Sequence, residues 1–249
     1  MKLALVCIAK NEDHYIQEWV DYHTALGFDD IWIYQNEWRA EGVIGENVHL
    51  VEHDGKTAAH KPILERPQMK AYNLFIESNK GNYDWACFID VDEFLVLKKH
   101  DSIKNFIQCY GEYDSIAVNW HIFGNNGHKE VSKGNYSVID RFTKRGIGVN
   151  KHVKTMVKLS KNPVYRNPHY SNLKWVDTNL HVGRGPFNPD GPDDVAQINH
   201  YFCKTREEYV HKMSRGRAAS HQPRDAEPDY LRHNLNEVED LWAVAFLLC

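Results

Sequence analysis

The sequence lacks several things that would narrow its class at once. None of its apolar runs approaches the roughly eighteen residues that a membrane span requires. It has no excess of basic residues: the net charge is −4, which gives no overall support for nucleic-acid binding. Its five cysteines (Cys7, Cys87, Cys109, Cys203 and Cys249) are scattered, odd in number and form no Cys-x-x-Cys pair. Three of them fall in apolar, strand-like runs, so they read as buried free thiols of a reducing compartment. No Gly-x-Gly-x-x-Gly follows the first strand-like run and no Walker sequence is present, which argues against a dinucleotide dehydrogenase or a P-loop enzyme. Internal repeats and low-complexity linkers are also missing. Met1–Ala9 has the look of a short signal peptide, but Lys10-Asn11-Glu12 follows at once without a cleavage pattern, so a first buried strand is expected instead.

What is present suits one sizeable α/β domain: 249 residues, 42% hydrophobic and 26% charged. The first half alternates strand and helix. Leu3–Ala9 is continuously apolar, as a strand buried on both faces should be. Ile16, Trp19, Val20, His23 and Leu26 mark one face of a helix that Gly27 ends. Strands are expected at Ile31–Tyr34, Val48–Val51 and Ala86–Ile89, with a helix from Arg66 that places Pro67 in its first turn and ends near Gly81. This β-α-β order predicts a parallel sheet with right-handed crossovers. Ser102 is positioned to cap a short helix. The second half reads as more β-rich, with strands expected at Ile116–Phe123, Val138–Phe142, Val153–Leu159 and Gln197–Phe202. Pro, Asn, Gly and His crowd the stretch from Pro163 to Asp194, which suggests long loops near a site. Thr205-Arg-Glu-Glu208 matches a capping box opening a helix through about Ala219, and a last helix is expected from Asp229 to the end.

The chain is organised around Trp85–Leu97, where Asp90, Asp92 and Glu93 follow an apolar run. In an extended chain, residues two apart point the same way, roughly 6–7 Å between Cα atoms. Asp90 and Asp92 are thereby expected to aim at one cation. Carboxylate oxygens suit Mn²⁺ or Mg²⁺, ions that usually also hold a substrate phosphate. An acid-rich β-turn capping a strand is the plain alternative, but apolar runs on both sides make unpaired buried carboxylates expensive.

Lys10-Asn-Glu12, Tyr15-Ile-Gln-Glu-Trp19, Tyr22-His23, Leu26-Gly-Phe28 and Ile33-Tyr-Gln-Asn36 resemble the opening of GT-A-fold glycosyltransferases, especially families 2 and 92. Gln68-x-x-Ala71-Tyr-Asn73, Phe88-Ile-Asp-Val-Asp-Glu-Phe94, Phe123-Gly-Asn-Asn-Gly-His128, Ile198-Asn-His-Tyr201, Lys204 and Arg215-Gly216 continue the series in the same order. The resemblance implies a GT-A-like (Rossmann-like), mostly parallel sheet flanked by helices, with a more β-rich second half and C-terminal helices. It also implies one catalytic domain over 1–249, with a nucleotide-sugar-binding half (1–100) and an acceptor-binding half (101–249). The implied activity is inverting transfer of a sugar from a nucleotide-diphosphate donor, UDP-linked by preference, to a glycan or glycolipid acceptor, with Mn²⁺ or Mg²⁺ as cofactor. The rivals are a sugar nucleotidyltransferase, which normally needs a Gly-rich basic loop that Cys7–Asp13 lacks, and a carbohydrate-binding module that retains the fold without catalysis. Neither a nucleic-acid partner nor more than peripheral membrane contact is expected. The location expected is cytoplasmic, at most peripheral to the inner face of the membrane.

Residue by residue, the resemblance puts Lys10, Asn11 and Glu12 beside the base and ribose, with Asn36 on the next strand also at the nucleotide. Many relatives carry Asp where this chain has Gln35. Asp92 is the best direct metal ligand; Asp90 is a second ligand, or holds the ribose or a metal-bound water. Glu93 reads as orienting the loop. His200 is a third ligand or a structural histidine, and Lys204 a partner for the leaving phosphate. Arg66 and Gln68, at a helix N-terminus, are placed for the donor phosphates or sugar, with a solvated charge as the plain reading of Arg66. The base that inversion requires is sought among Asp193, Asp194, His128 and His121, with a turn cap as the plain reading of the aspartates. Trp120, Phe123 and Trp175 are candidates for stacking on sugar rings, or core.

Overall fold

The computed structural model describes residues 1–55, 61–131, 134–214 and 226–248. In chain order the elements are β1 (Leu3–Ala9), α1 (Ile16–Ala25), β2 (Asp30–Gln35), β3 (Val48–Glu52), α2 (Pro67–Ser78), β4 (Trp85–Phe88), β5 (Glu93–Leu97), α3 (Ile103–Cys109) and β6 (Ser115–Ile122). Then come α4 (Val138–Arg141), β7 (Lys144–Arg145), β8 (Asn150–Lys158), β9 (Tyr165–Asn167), β10 (Tyr170–Ser171), β11 (Trp175–Val176), β12 (Val182–Gly183), β13 (Ala196–His200), α5 (Arg206–Ser214), α6 (Ala226–His233), β14 (Val238–Glu239) and α7 (Trp242–Leu247).

The first four strands pair in parallel in the order β3-β2-β1-β4. Chain order reverses at β1, and the carboxyl ends of β1 and β4 border the crevice where open α/β sheets take their ligands. β8 continues the sheet antiparallel to both β4 and β6, and β6 runs parallel to β13, which pairs antiparallel with β5. The sheet is therefore parallel in its first half and mixed in its second. Apolar side chains of α1, α3 and α7 (Ile16, Trp19, Ile103, Phe106, Ala243) cover one face. Those of α2 (Met69, Tyr72, Phe75) cover the other. The arrangement is the GT-A-like one that the sequence implies. Burying a side chain such as Phe75 contributes roughly 1.5–3 kcal/mol.

The local signals explain most boundaries. Gly27 ends α1 at φ +100°, a conformation that Cβ-bearing residues avoid. The Ser102 hydroxyl accepts from the Asn105 N–H at 3.3 Å and starts α3. The capping box closes in both directions: Thr205 Oγ1 accepts from the Glu208 N–H at 3.1 Å, and Glu208 Oε2 from the Thr205 N–H at 2.9 Å. Cys7, Cys87 and Cys203 are buried free thiols, whereas Cys109 is exposed.

Two expectations fail. Val138–Phe142 forms a helical turn rather than a strand, because Ser137 caps it and Glu18 of α1 takes the Val138 N–H at 2.7 Å. The last helix is split into α6 and α7 with β14 between them. The break falls where the Asn234 and Asn236 side chains accept from the backbone N–H groups of Asn125 and Asn126, at 2.8 and 2.7 Å. Arg215-Gly216, the helix end expected near Ala219, and Cys249 lie outside the described residues. Among the described residues no helix is long and apolar enough to cross a membrane.

Candidate functional site

The acids lie at the carboxyl end of β4, but not in extended chain. The Glu93 N–H donates to the Asp90 carbonyl at 3.0 Å, closing a turn over Val91 and Asp92. The side chain of Glu93 folds back to accept from the Asp90 N–H at 2.9 Å. Asp90 and Asp92 are thus aimed at different partners, which corrects the expectation that alternation brings both to one cation.

One oxygen of Asp90 accepts from Gln68 Nε2 at 2.8 Å and the other from Lys154 Nζ at 2.9 Å. Lys154, on β8, is 2% exposed and also lies 3.2 Å from Glu93, which is fully buried. Burial alone would lower the lysine's proton affinity, but the two carboxylates outweigh it and keep the ammonium charged. For Glu93, burial is the largest influence and pushes its carboxyl well up, against the pull of Lys154. Gln68, from the first turn of α2, also donates to the Tyr72 hydroxyl at 3.0 Å and so fixes Asp90 to that helix.

Asp92 is the more buried of the two, with 13% of its side chain exposed. Its backbone carbonyl accepts from the Tyr201 N–H at 2.9 Å, which brings the end of β13 beside the acid turn. Its carboxylate lies 3.5 Å from His200 Nε2 and pairs with Lys212 of α5. Burial alone would raise this carboxyl; Lys212, His200 and Lys204 reverse that and hold it well below the usual range. His200 is pushed down by burial, against Asp92, so its imidazole is neutral at pH 7. Its Nδ1 is buried without a hydrogen-bond partner. Lys204 is held at φ +49° with its ammonium 3.5 Å from the centre of the Tyr15 ring and 3.9 Å from Glu12. Burial lowers its pKa, with Glu12 and Asp92 opposing.

The nucleotide candidates gather at the ends of β1 and β2. Lys10 bridges to Glu37 at 2.7 Å, and Asn11 takes φ +53°. The Glu12 carbonyl accepts from the Tyr15 and Ile16 N–H groups, both at 2.9 Å, and so starts α1. Asn36 Oδ1 accepts from the Gly55 N–H at 3.0 Å, while the buried Gln35 accepts from the Ala40 N–H at 2.8 Å. Arg66 precedes α2 and its Nε is buried without a partner.

The base candidates are not brought to this place. Asp193 and Asp194 precede the start of β13, whereas His200 ends it. Asp193 is held 2.8 Å from His121 Nε2 and 3.7 Å from Lys98, and Asp194 pairs with Lys99. His128 is exposed in the turn after Asn125. Phe123 and Trp175 are core side chains, but Trp120 is partly exposed and its ring centre lies 4.3 Å from that of His200.

Sequence reasoning missed Lys154 and Lys212. A lysine inside the apolar run Val153–Leu159 needs a buried carboxylate, and that was the available signal for Lys154. Lys212 carries none, because a lysine on a polar helix reads as solvated.

Among the described residues no group of three or more His, Cys, Asp and Glu side chains is gathered to cage a metal ion. The donor set nevertheless fits a hard divalent ion of the kind that one or two protein ligands share with a substrate phosphate. Asp92 and His200 converge at 3.5 Å, and the cationic place beside Asp92 is already taken by an ammonium.

The model of glycosyltransferase family 92 matches residues 46–163. A family 92 protein of Ricinus communis is 26% identical over 219 residues, covering 86% of this chain and 38% of the relative. One of Oryza sativa subsp. japonica is 22% identical over 223 residues, covering 87% and 36%. The chain thus spans under two fifths of the length of these relatives. The S. aureus TarS 1–349 crystal structure aligns at 10% identity with a TM-score of 0.36, over 64% of this chain and 48% of that one, an overlap too slight to carry an argument. The chain is thus similar to family 92 glycosyltransferases over part of its length.

Proposed function

We propose that the chain is an inverting, metal-dependent glycosyltransferase that moves a sugar from a nucleotide-diphosphate donor, UDP-linked by preference, to a glycan or glycolipid acceptor. The observation that carries this reading is the convergence of Asp92 and His200 at the switch point of the sheet, ringed by Lys204 and Lys212. Homology with family 92 supports the reaction class.

Transfer from such a donor must stabilise a departing diphosphate. A divalent ion held by Asp92 and His200 would supply Lewis-acid stabilisation of that charge. Lys204 and Lys212 add ammonium groups on the same side, where low dielectric makes them effective. Asp90, fixed by Gln68 and Lys154 and about a third exposed, is assigned the ribose rather than the ion. The Arg66 guanidinium, at the opening of α2, is assigned the donor phosphates or sugar.

Calorimetry with UDP and a panel of UDP-sugars, with Mn²⁺ and again with EDTA, tests the reading. Binding that EDTA abolishes is expected; no binding by any donor overturns it. A second reading has its own observation: Lys212 already supplies a cation to Asp92. Donor binding and turnover unchanged by EDTA would establish that metal-free alternative.

A further inference from the structure

Inversion needs a base opposite the leaving diphosphate, and the aromatic cluster beside His200 supplies one that the sequence does not advertise. From the Asp92–His200 pair a floor of rings runs outward. Trp120 lies 4.3 Å from His200, and His152 stacks on Trp120 at 5.0 Å with the ring planes 26° apart. Phe187, exposed, closes the far end 4.8 Å from His152. His169 lies 4.9 Å from Trp120 as well, so three imidazoles surround the indole and hold His152 in place.

The protonation of His152 follows from geometry. Asn150 Oδ1 accepts from the backbone N–H of His152 at 3.0 Å, so the atom facing the ring is the amide oxygen. The same oxygen lies 2.8 Å from His152 Nδ1, which must then carry the proton. Nε2 is left with a lone pair, and it is neither sealed nor partnered among the described residues. Burial first, then Lys151, His200, His233 and Lys154, push the imidazole down to about 4, so the lone pair is available at neutral pH.

We infer that His152 is the general base of the proposed transfer, taking the proton of the incoming hydroxyl at Nε2. The acceptor oxygen forms its bond to the anomeric carbon, the anomeric carbon–oxygen bond to the diphosphate breaks, and its electron pair leaves with the diphosphate. The hydroxyl proton ends on His152. This rests on the transfer reading and names the residue that it lacked.

The test is UDP release from UDP-sugars with Mn²⁺, water standing in for the acceptor, beside calorimetry of UDP and Mn²⁺. His152→Ala should lose roughly 10²-fold or more in kcat, with UDP affinity within about threefold of the parent. Added imidazole should restore part of the rate in His152→Ala, a rescue that a merely structural role would not show. His152→Gln, which keeps most of the packing, carries the test if the alanine variant does not fold. Either folded variant keeping kcat within about threefold overturns the inference. So does loss of turnover in Asp193→Asn with retention in His152→Ala. A parent protein that binds no UDP and releases none overturns the transfer reading, and the base with it.

Discussion

Asp90 and Asp92 are separated by one residue and have opposite fates. Asp90 belongs to a closed knot with Lys154 and Glu93, in which both of its oxygens have protein partners. Asp92, itself 13% exposed, belongs to a seat open on the side of Lys212, which stands on the last turn of α5 and keeps about a quarter of its side chain exposed. Lys154 and Glu93 are fully buried in this knot, and it holds only while complete, because desolvation makes an unpaired member costly. An open seat can exchange its occupant. One tetrapeptide therefore holds its two aspartates in different ways, and the turn between them is what separates the two.

Breaking the knot should have the largest effect. Lys154→Met leaves Glu93 and Asp90 without their cation and is expected to cost about 3–5 kcal/mol, read as a lower midpoint in urea. A variant as stable as the parent would show that the knot is not an anchor. A second closed pair gives the pH counterpart. Arg141 holds Glu208 at 2.8 Å, with Tyr15 and Thr205 also donating to it. Burial would raise that carboxyl, but these donors pull it down from 4.5 to about 2. Its contribution is therefore complete above pH 4.5 and is lost as pH falls toward 2. Glu208→Gln should lower the thermal midpoint at pH 7 and flatten its acid dependence across that window.

Opening the seat should cost function more than fold. Asp92→Asn is expected to lower the urea midpoint less than Lys154→Met does, while losing roughly 10- to 100-fold in affinity for UDP with Mn²⁺. Equal losses of stability in Asp92→Asn and Lys154→Met would erase the distinction between the two acids.

The contrast also marks what the sequence could disclose. Helix and strand positions were legible because Leu3–Ala9, the α1 stripe and the Thr205–Glu208 capping box each write a local rule into consecutive residues. Asp92 and His200 were legible as types at strand ends. The direction of Asp90 was not, since it depends on a turn closed by the Glu93 side chain and on Lys154, which lies 64 residues away. His152 was equally hidden: its tautomer is set by Asn150 and its place by stacking on Trp120 from another strand. Val138–Phe142 misread as a strand for a related reason, because three β-branched or aromatic residues suit β structure until Glu18 caps them as a helix.

The smallest effect is the sharpest for the seat. Lys212 competes for Asp92 with any incoming divalent ion, so Lys212→Ala should bind Mn²⁺ alone more tightly, by up to about tenfold or 1.4 kcal/mol. With UDP present the sign should reverse. If the ammonium moves from Asp92 to the diphosphate when the donor arrives, its loss removes a charge-assisted contact and weakens UDP binding. Titrating Mn²⁺ alone, and then UDP at saturating Mn²⁺, separates the two contributions within one variant. A Lys212→Ala protein unchanged in both titrations would show that Lys212 is a surface charge resting on Asp92, and that the seat has no occupant to exchange.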